Sequence, residues 1–106
     1  MSADDVINAV KEHFGPEFPI STGTAQPANP LVITEEVDYV SIEYAVANYI
    51  LRSMWRYRYK LKEQSTSHID GRVIDKMIFL ANRGGTEEKT FYFAFDITAG
   101  FNHSND

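Results

Sequence analysis

Apolar positions change their spacing twice along this chain of 106 residues. From 4 to 14, Val6, Ile7, Val10 and Phe14 recur at helical intervals, with Ser2 or Asp4 as a cap and Gly15-Pro16 as a stop. That pattern predicts a short amphipathic helix. Residues 15 to 30 hold all four prolines, Pro16, Pro19, Pro27 and Pro30, and predict a long loop. Loops beyond about 12 to 15 residues tend to be binding segments, lids or tethers. Leu31 to Ile33 suits a short strand. Thr34 with Glu35, Glu36 and Asp38 marks a helix entry, acids on its positive end. From there to Met54, two apolar rows (Val40, Tyr44, Ala47, Leu51, Met54 and Ile42, Val46, Tyr49, Ile50) predict a helix buried on most sides. Val40, Ile42, Tyr44 and Val46 also alternate as a strand would, but Ala45, Ala47 and the length of the run favour helix.

The period then falls to two. Trp55, Tyr57, Tyr59 and Leu61 alternate with Arg56, Arg58, Lys60 and Lys62, predicting a strand from 54 to about 68 with rings inward and cations outward. Asp70-Gly71 is a favourable two-residue hairpin turn. Phe91, Phe93, Phe95 and Ile97 alternate with Tyr92, Ala94, Asp96 and Thr98 in another strand. Between them, Val73, Ile74, Met77, Ile78 and Ala81 fit a helix over 70–82, with Asp70 as cap and Gly84 as stop. The Asp-Gly turn and the unbroken apolar run Ile78-Phe79-Leu80 favour a strand, with Arg83 to Thr86 turning into the last one.

The expected architecture is one α+β domain over 1–106. An antiparallel sheet, a three-stranded meander plus a short N-terminal strand, curls over one long helix, with a short N-terminal helix and a polar tail at 100–106. This order of elements resembles that of cystatin-like α+β rolls; no sequence motif carries the likeness.

Composition narrows the chemistry. The chain is 43% hydrophobic and 24% charged with no cysteine, which removes disulfides, thiolate metal sites and cysteine nucleophiles. The N-terminus lacks a signal-peptide pattern and no run nears the ~20 apolar residues of a membrane span, so a cytoplasmic protein without membrane contact is expected. No cofactor or metal motif is present.

Net charge is −5, unevenly spread. Residues 1–51 carry eight acids against Lys11 alone, and residues 52–106 carry nine bases against seven acids. Arg56, Arg58, Lys60 and Lys62 therefore form a local positive strip. Their long stems also suit a plain role, covering outer apolar surface and blocking edge-to-edge pairing. The interleaved rings point away from the cations and the pI is about 5.1, which together count against nucleic acid.

Candidate acid–base groups are His68, Asp70, Asp75 and Asp96, with Tyr92 beside the last. His68-Ile69-Asp70 reads as a turn. Asp96 lies outward in an otherwise apolar strand, where enclosure by a loop could raise its pKa, although a salt bridge is the simpler expectation. Phe18 and Ile20 are apolar residues without an evident place in the helical or strand core. The sequence thus predicts a small binding or regulatory module that meets protein partners or itself, as a homo-oligomer, through Arg56, Arg58, Lys60, Lys62, Phe18, Ile20 and Asp96. The alternative is a small enzyme or ligand-binding roll with a helix–sheet pocket lined by Asp96, Tyr92 and His68.

Overall fold

The computed structural model describes residues 3–34, 38–85 and 87–104. Helix α1 (Ala3–Phe14) buries Val6 and Val10 and ends at Gly15, whose φ of 111° suits only glycine and whose amide donates to the Lys11 carbonyl at 2.8 Å. The short strand β1 is Leu31–Val32. Helix α2 (Tyr39–Asn48) begins at Asp38, whose carboxylate accepts from the Ser41 amide at 3.3 Å and the Ser41 hydroxyl at 2.7 Å. These bonds hold the Asp38 carboxyl below the usual carboxylate range. The entry expected at Thr34 thus falls at Asp38; Glu35 and Glu36 lie outside the described residues.

The helix runs on as a π-helical segment, Tyr49–Met54. Its last bonds span five and six residues, from Trp55 N to Ile50 O (3.0 Å) and from Tyr57 N to Leu51 O (2.7 Å). Val46, Ala47, Ile50 and Leu51 face the sheet, while Val40 and Tyr44 remain exposed, so the helix is buried on one side rather than most.

Three antiparallel strands follow: β2 (Arg58–Ile69), β3 (Arg72–Asn82) and β4 (Lys89–Asp96). The 70–82 segment is strand, entered through Asp70 and Gly71 at φ 51° and 78°, as a two-residue hairpin turn with two positive φ values requires. Sheet order is β1-β4-β3-β2, with β1 parallel to β4, so the sheet is mixed and open, mostly antiparallel. β2 starts at Arg58 rather than 54 because Arg56 takes a left-handed φ of 63°. Arg83 secures this kink, donating twice to the Trp55 carbonyl (3.0 and 2.8 Å) and lying 4.1 Å over the Tyr57 ring. Helix α3 (Thr98–Ser104) occupies most of the stretch expected as a polar tail.

The proline-rich loop is an irregular hairpin. Ile20 bridges Ile33, Ser21 N donates to Val32 O, Val32 N to Thr22 O and Thr24 N to Asn29 O, with the tip at Pro27-Ala28. Gly23 permits the close crossing, since a Cβ there would lie 2.0 Å from the Pro30 carbonyl oxygen. Ala25 O accepts from Ala94 N at 2.7 Å, tying the hairpin to the β4 edge.

Alternation gives the sheet two unlike faces. Val73, Asp75, Met77, Phe79 and Ala81 of β3 lie inward with Phe91, Phe93 and Phe95 of β4, under α1 and α2. Ile74, Lys76, Ile78 and Leu80 lie outward, paired with Asp96, Ala94, Tyr92 and Thr90.

Candidate functional site

The cationic strip keeps its orientation but not its continuity. Trp55 packs on Phe91 and Phe93 at 5.3 and 6.4 Å, Tyr57 on Phe91 at 5.1 Å, and Tyr59 edge-on to Phe79 at 5.4 Å, while all four cations are exposed. Arg58 and Lys60 stand on the outer face of β2, opposite Asn82 and Leu80. Arg56 sits off the strand in the left-handed kink, and Lys62 falls where the register shifts between Leu61 and Glu63. An extra residue reverses every later side chain, which is why a uniform alternation fails beyond Leu61.

Lys76 replaces the lost members. It comes from β3, on the same outer face, next to Ser65 and Ala94. Around it lie half-buried Ile78 and Leu80 and the 57% exposed Tyr92. The hairpin tip reaches this face: Pro27 lines a shallow depression of about 300 Å³ with Glu63, Ser65, Lys76, Ile78 and Tyr92. It also borders a second of about 240 Å³ with Pro30, Ile69, Arg72 and Ile74. Cationic face and proline-rich loop, distant in the chain, form one surface.

Two loop residues play other parts. Ile20, 2% exposed, is buried in the core, correcting the expectation that it had no place there. The bridge to Ile33 draws it inward. Phe18 is half-buried and stacks on Phe14 at 4.6 Å, beside the stacked His13–Tyr49 pair at 4.3 Å. The apolar contribution of the loop to the outer surface comes from Pro27 and Pro30 instead.

Asp96 is a paired structural acid. Arg72 Nε donates to it at 2.7 Å, and the Thr98 amide at 3.0 Å with the Thr98 hydroxyl at 2.5 Å. Burial pushes its pKa up, but the Thr98 and Arg72 bonds outweigh burial and hold it below the ordinary 3.8. This is the salt bridge expected, and the raised pKa needed by a general base is contradicted. The pocket group also separates: Asp96 and Tyr92 face outward, whereas His68 pairs with Val73 on the inner face and meets Phe101 edge-on at 5.4 Å. A cavity of about 110 Å³ between helix and sheet, lined by Val6, Ile50, Trp55, Phe91 and Phe93 with Thr24, Gln26 and Tyr92, keeps Tyr92 of the three but neither Asp96 nor His68. It is well below the ~300 Å³ at which ligand pockets begin.

The sequence reading missed Glu43. It is fully buried under α2, and neither carboxyl oxygen is in hydrogen-bonding geometry with a partner among the described residues. Burial lifts its pKa from 4.5 to about 10, and Asp75, as hydrogen-bond acceptor and as charge, adds to the rise. Protonated Glu43 can donate to Asp75 after a small rotation; the ionised form cannot. Asp75, 2% exposed, is held by Gln64 Nε2 at 2.7 Å and Thr66 Oγ1 at 3.0 Å. Glu43 precedes Val46, Ala47 and Ile50 by three, four and seven residues, so helical spacing alone places it on the buried face. Sealed from solvent, the pair is not offered to a substrate. Among the described residues no three acids, histidines or cysteines gather as a metal site.

Compared with known proteins, the chain matches no protein-family model, no curated protein and no solved structure.

Proposed function

We propose that this chain is a small non-enzymatic binding or regulatory module whose outer sheet face, flanked by the proline-rich hairpin tip, takes an extended acidic segment of a partner protein. The observation that carries the reading is Tyr92. It is a large ring, 57% exposed near the middle of a packed sheet, beside Ile78 and Lys76 and overhung by Pro27. With Ile78 and Pro27, which line the same depression, it makes an apolar patch rimmed by charge, and contiguous patches of this kind mark interaction sites. Lys76 lines the same depression with Glu63, and Arg58 and Lys60 extend the outer face toward Asn82 beside Glu88. Three cations against two acids leave the face positive, so acidic side chains suit the rim and an apolar one the depression. The cysteine-free composition accords with a cytoplasmic setting. Among the described residues no helix is long and apolar enough to cross a membrane. Self-association belongs to the same reading, at a different part of the sheet.

The test is fluorescence anisotropy with a labelled extended peptide of glutamates interspersed with tyrosines. We expect binding that weakens with salt and falls at least about tenfold in Arg58→Glu/Lys76→Glu. Absence of binding, or binding unchanged in that variant, refutes the proposal. Single-stranded DNA is the control: tighter binding to it, with a salt slope near −0.7 per phosphate contact, transfers the face to nucleic acid.

A further inference from the structure

β2 is the edge of the sheet and spans 12 residues. At about 3.3 Å per residue it is roughly 40 Å long, close to the 46 Å longest dimension of the molecule. No strand pairs with its other side among the described residues, and nearly all its side chains are exposed. The two-residue turn makes Ile69 and Arg72 the bonded pair beside it. By alternation, the backbone N–H and C=O groups of His68, Thr66 and Gln64 then point outward, away from β3.

Protection of this edge is one-sided. Lys60, Lys62 and the register shift after Leu61 guard its first half. Residues 63 to 69, Glu-Gln-Ser-Thr-Ser-His-Ile, contain no lysine, proline or bulge. Exposed apolar side chains gather on the same side. The Tyr59 hydroxyl donates to Asn48 Oδ1 at 2.7 Å, which turns the Val40-Tyr44-Asn48 stripe of α2 toward β2. Val40 and Tyr44 on that stripe, with Leu61 on the strand, are three of the six large exposed apolar residues among those described.

We propose that this edge pairs antiparallel with β2 of a second copy, joining two sheets into one of eight strands. A two-fold axis normal to the sheet keeps inward residues opposite inward ones, so only like-faced positions can oppose. Centred on Thr66, the pairing spans the whole unguarded stretch. Gln64 then faces His68 of the second copy and Ser65 faces Ser67, while just beyond each end of the paired stretch Lys62 at the register shift comes near Asp70 of the other copy's turn. That charge match is what selects a second copy over an unrelated strand. Seven paired residues alone bury less than the ~800 Å² per partner of a stable interface, and the Val40, Tyr44 and Leu61 strip supplies further apolar area on the same side. The contact uses the edge, not the outer face, and stands independently of the acidic-partner reading.

Sedimentation velocity tests it with two variants at positions that oppose each other, Ser65→Lys/Ser67→Lys and Ser65→Glu/Ser67→Glu. We expect the native chain at twice its 12.1 kDa mass at tens of micromolar. Each variant alone should sediment at single mass, its dimer dissociation constant raised roughly a hundredfold or more. Their equimolar mixture should return to double mass, which a misfolded variant cannot do. Arg58→Glu/Lys76→Glu should stay dimeric, separating this contact from the outer face. A native chain at single mass, a dimeric lysine variant, or a mixture that stays at single mass overturns the proposal.

Discussion

Glu43 has the environment of a core residue and the side chain of a surface one. Because it stays protonated when folded but ionises near 4.5 when unfolded, the folded state binds the extra proton between those pH values. The sign of this one contribution is therefore fixed: the stability that protonated Glu43 lends is full below about 4.5, declines as pH rises toward about 10, and levels off above. Asp38 and Asp96, with lowered pKa values, act in the opposite sense in acid. Glu43→Gln keeps the shape, cannot ionise, and retains a donor for Asp75. We expect it to remove an alkaline decline of roughly 1 kcal/mol per pH unit and to raise stability at pH 8 to 9, read from urea unfolding across pH. An identical pH profile in the variant would refute this account. Asp96 is the opposite case, an acid whose expected salt bridge is present with Arg72. Arg72 and Thr98 together hold it ionised.

Turns separate two kinds of glycine requirement at the scale of elements. Gly71 needs only its φ of 78°, with nothing within 4 Å of a Cβ, whereas Gly23 adds a backbone collision at 2.0 Å to its φ of 105°. Gly71→Ala should lower stability by about 1 kcal/mol, and Gly23→Ala by more than about 3 kcal/mol, because the hairpin must move away from Pro30. Thermal unfolding of the pair checks the order, and equal losses would mean that the hairpin is not tied down as described. Elements with a strong local period, such as α1, β4 and the Asp70-Gly71 turn, were legible in sequence because their spacing and turn chemistry agree with their packing. The loop hairpin was not, since its bonds join residues such as Ile20 and Ile33 through irregular backbone with no period.

Across the whole molecule, β3 is the strand on which the rest depends, lying between β2 and β4 with its inner face under α2. Phe79 at its centre is fully buried and meets Tyr59 and Phe93 edge-on. Phe79→Ala should cost about 3 to 5 kcal/mol in denaturant unfolding, and a loss under 1 kcal/mol would contradict its central place. The sequence by itself determined that Tyr57 and Tyr59 turn inward while Arg58 and Lys60 turn outward, because that alternation cannot be reversed without burying charge. It also determined the strand–turn–strand path through Asp70-Gly71, since that turn is encoded in two adjacent residues. Only the tertiary structure decided that Lys76 joins Arg58 and Lys60, that Pro27 overhangs the same face, that Glu43 lies against Asp75, and that β2 keeps an open edge. Each of these rests on register and crossing between segments far apart in the chain, and a single bulge after Leu61 is enough to reassign every later position.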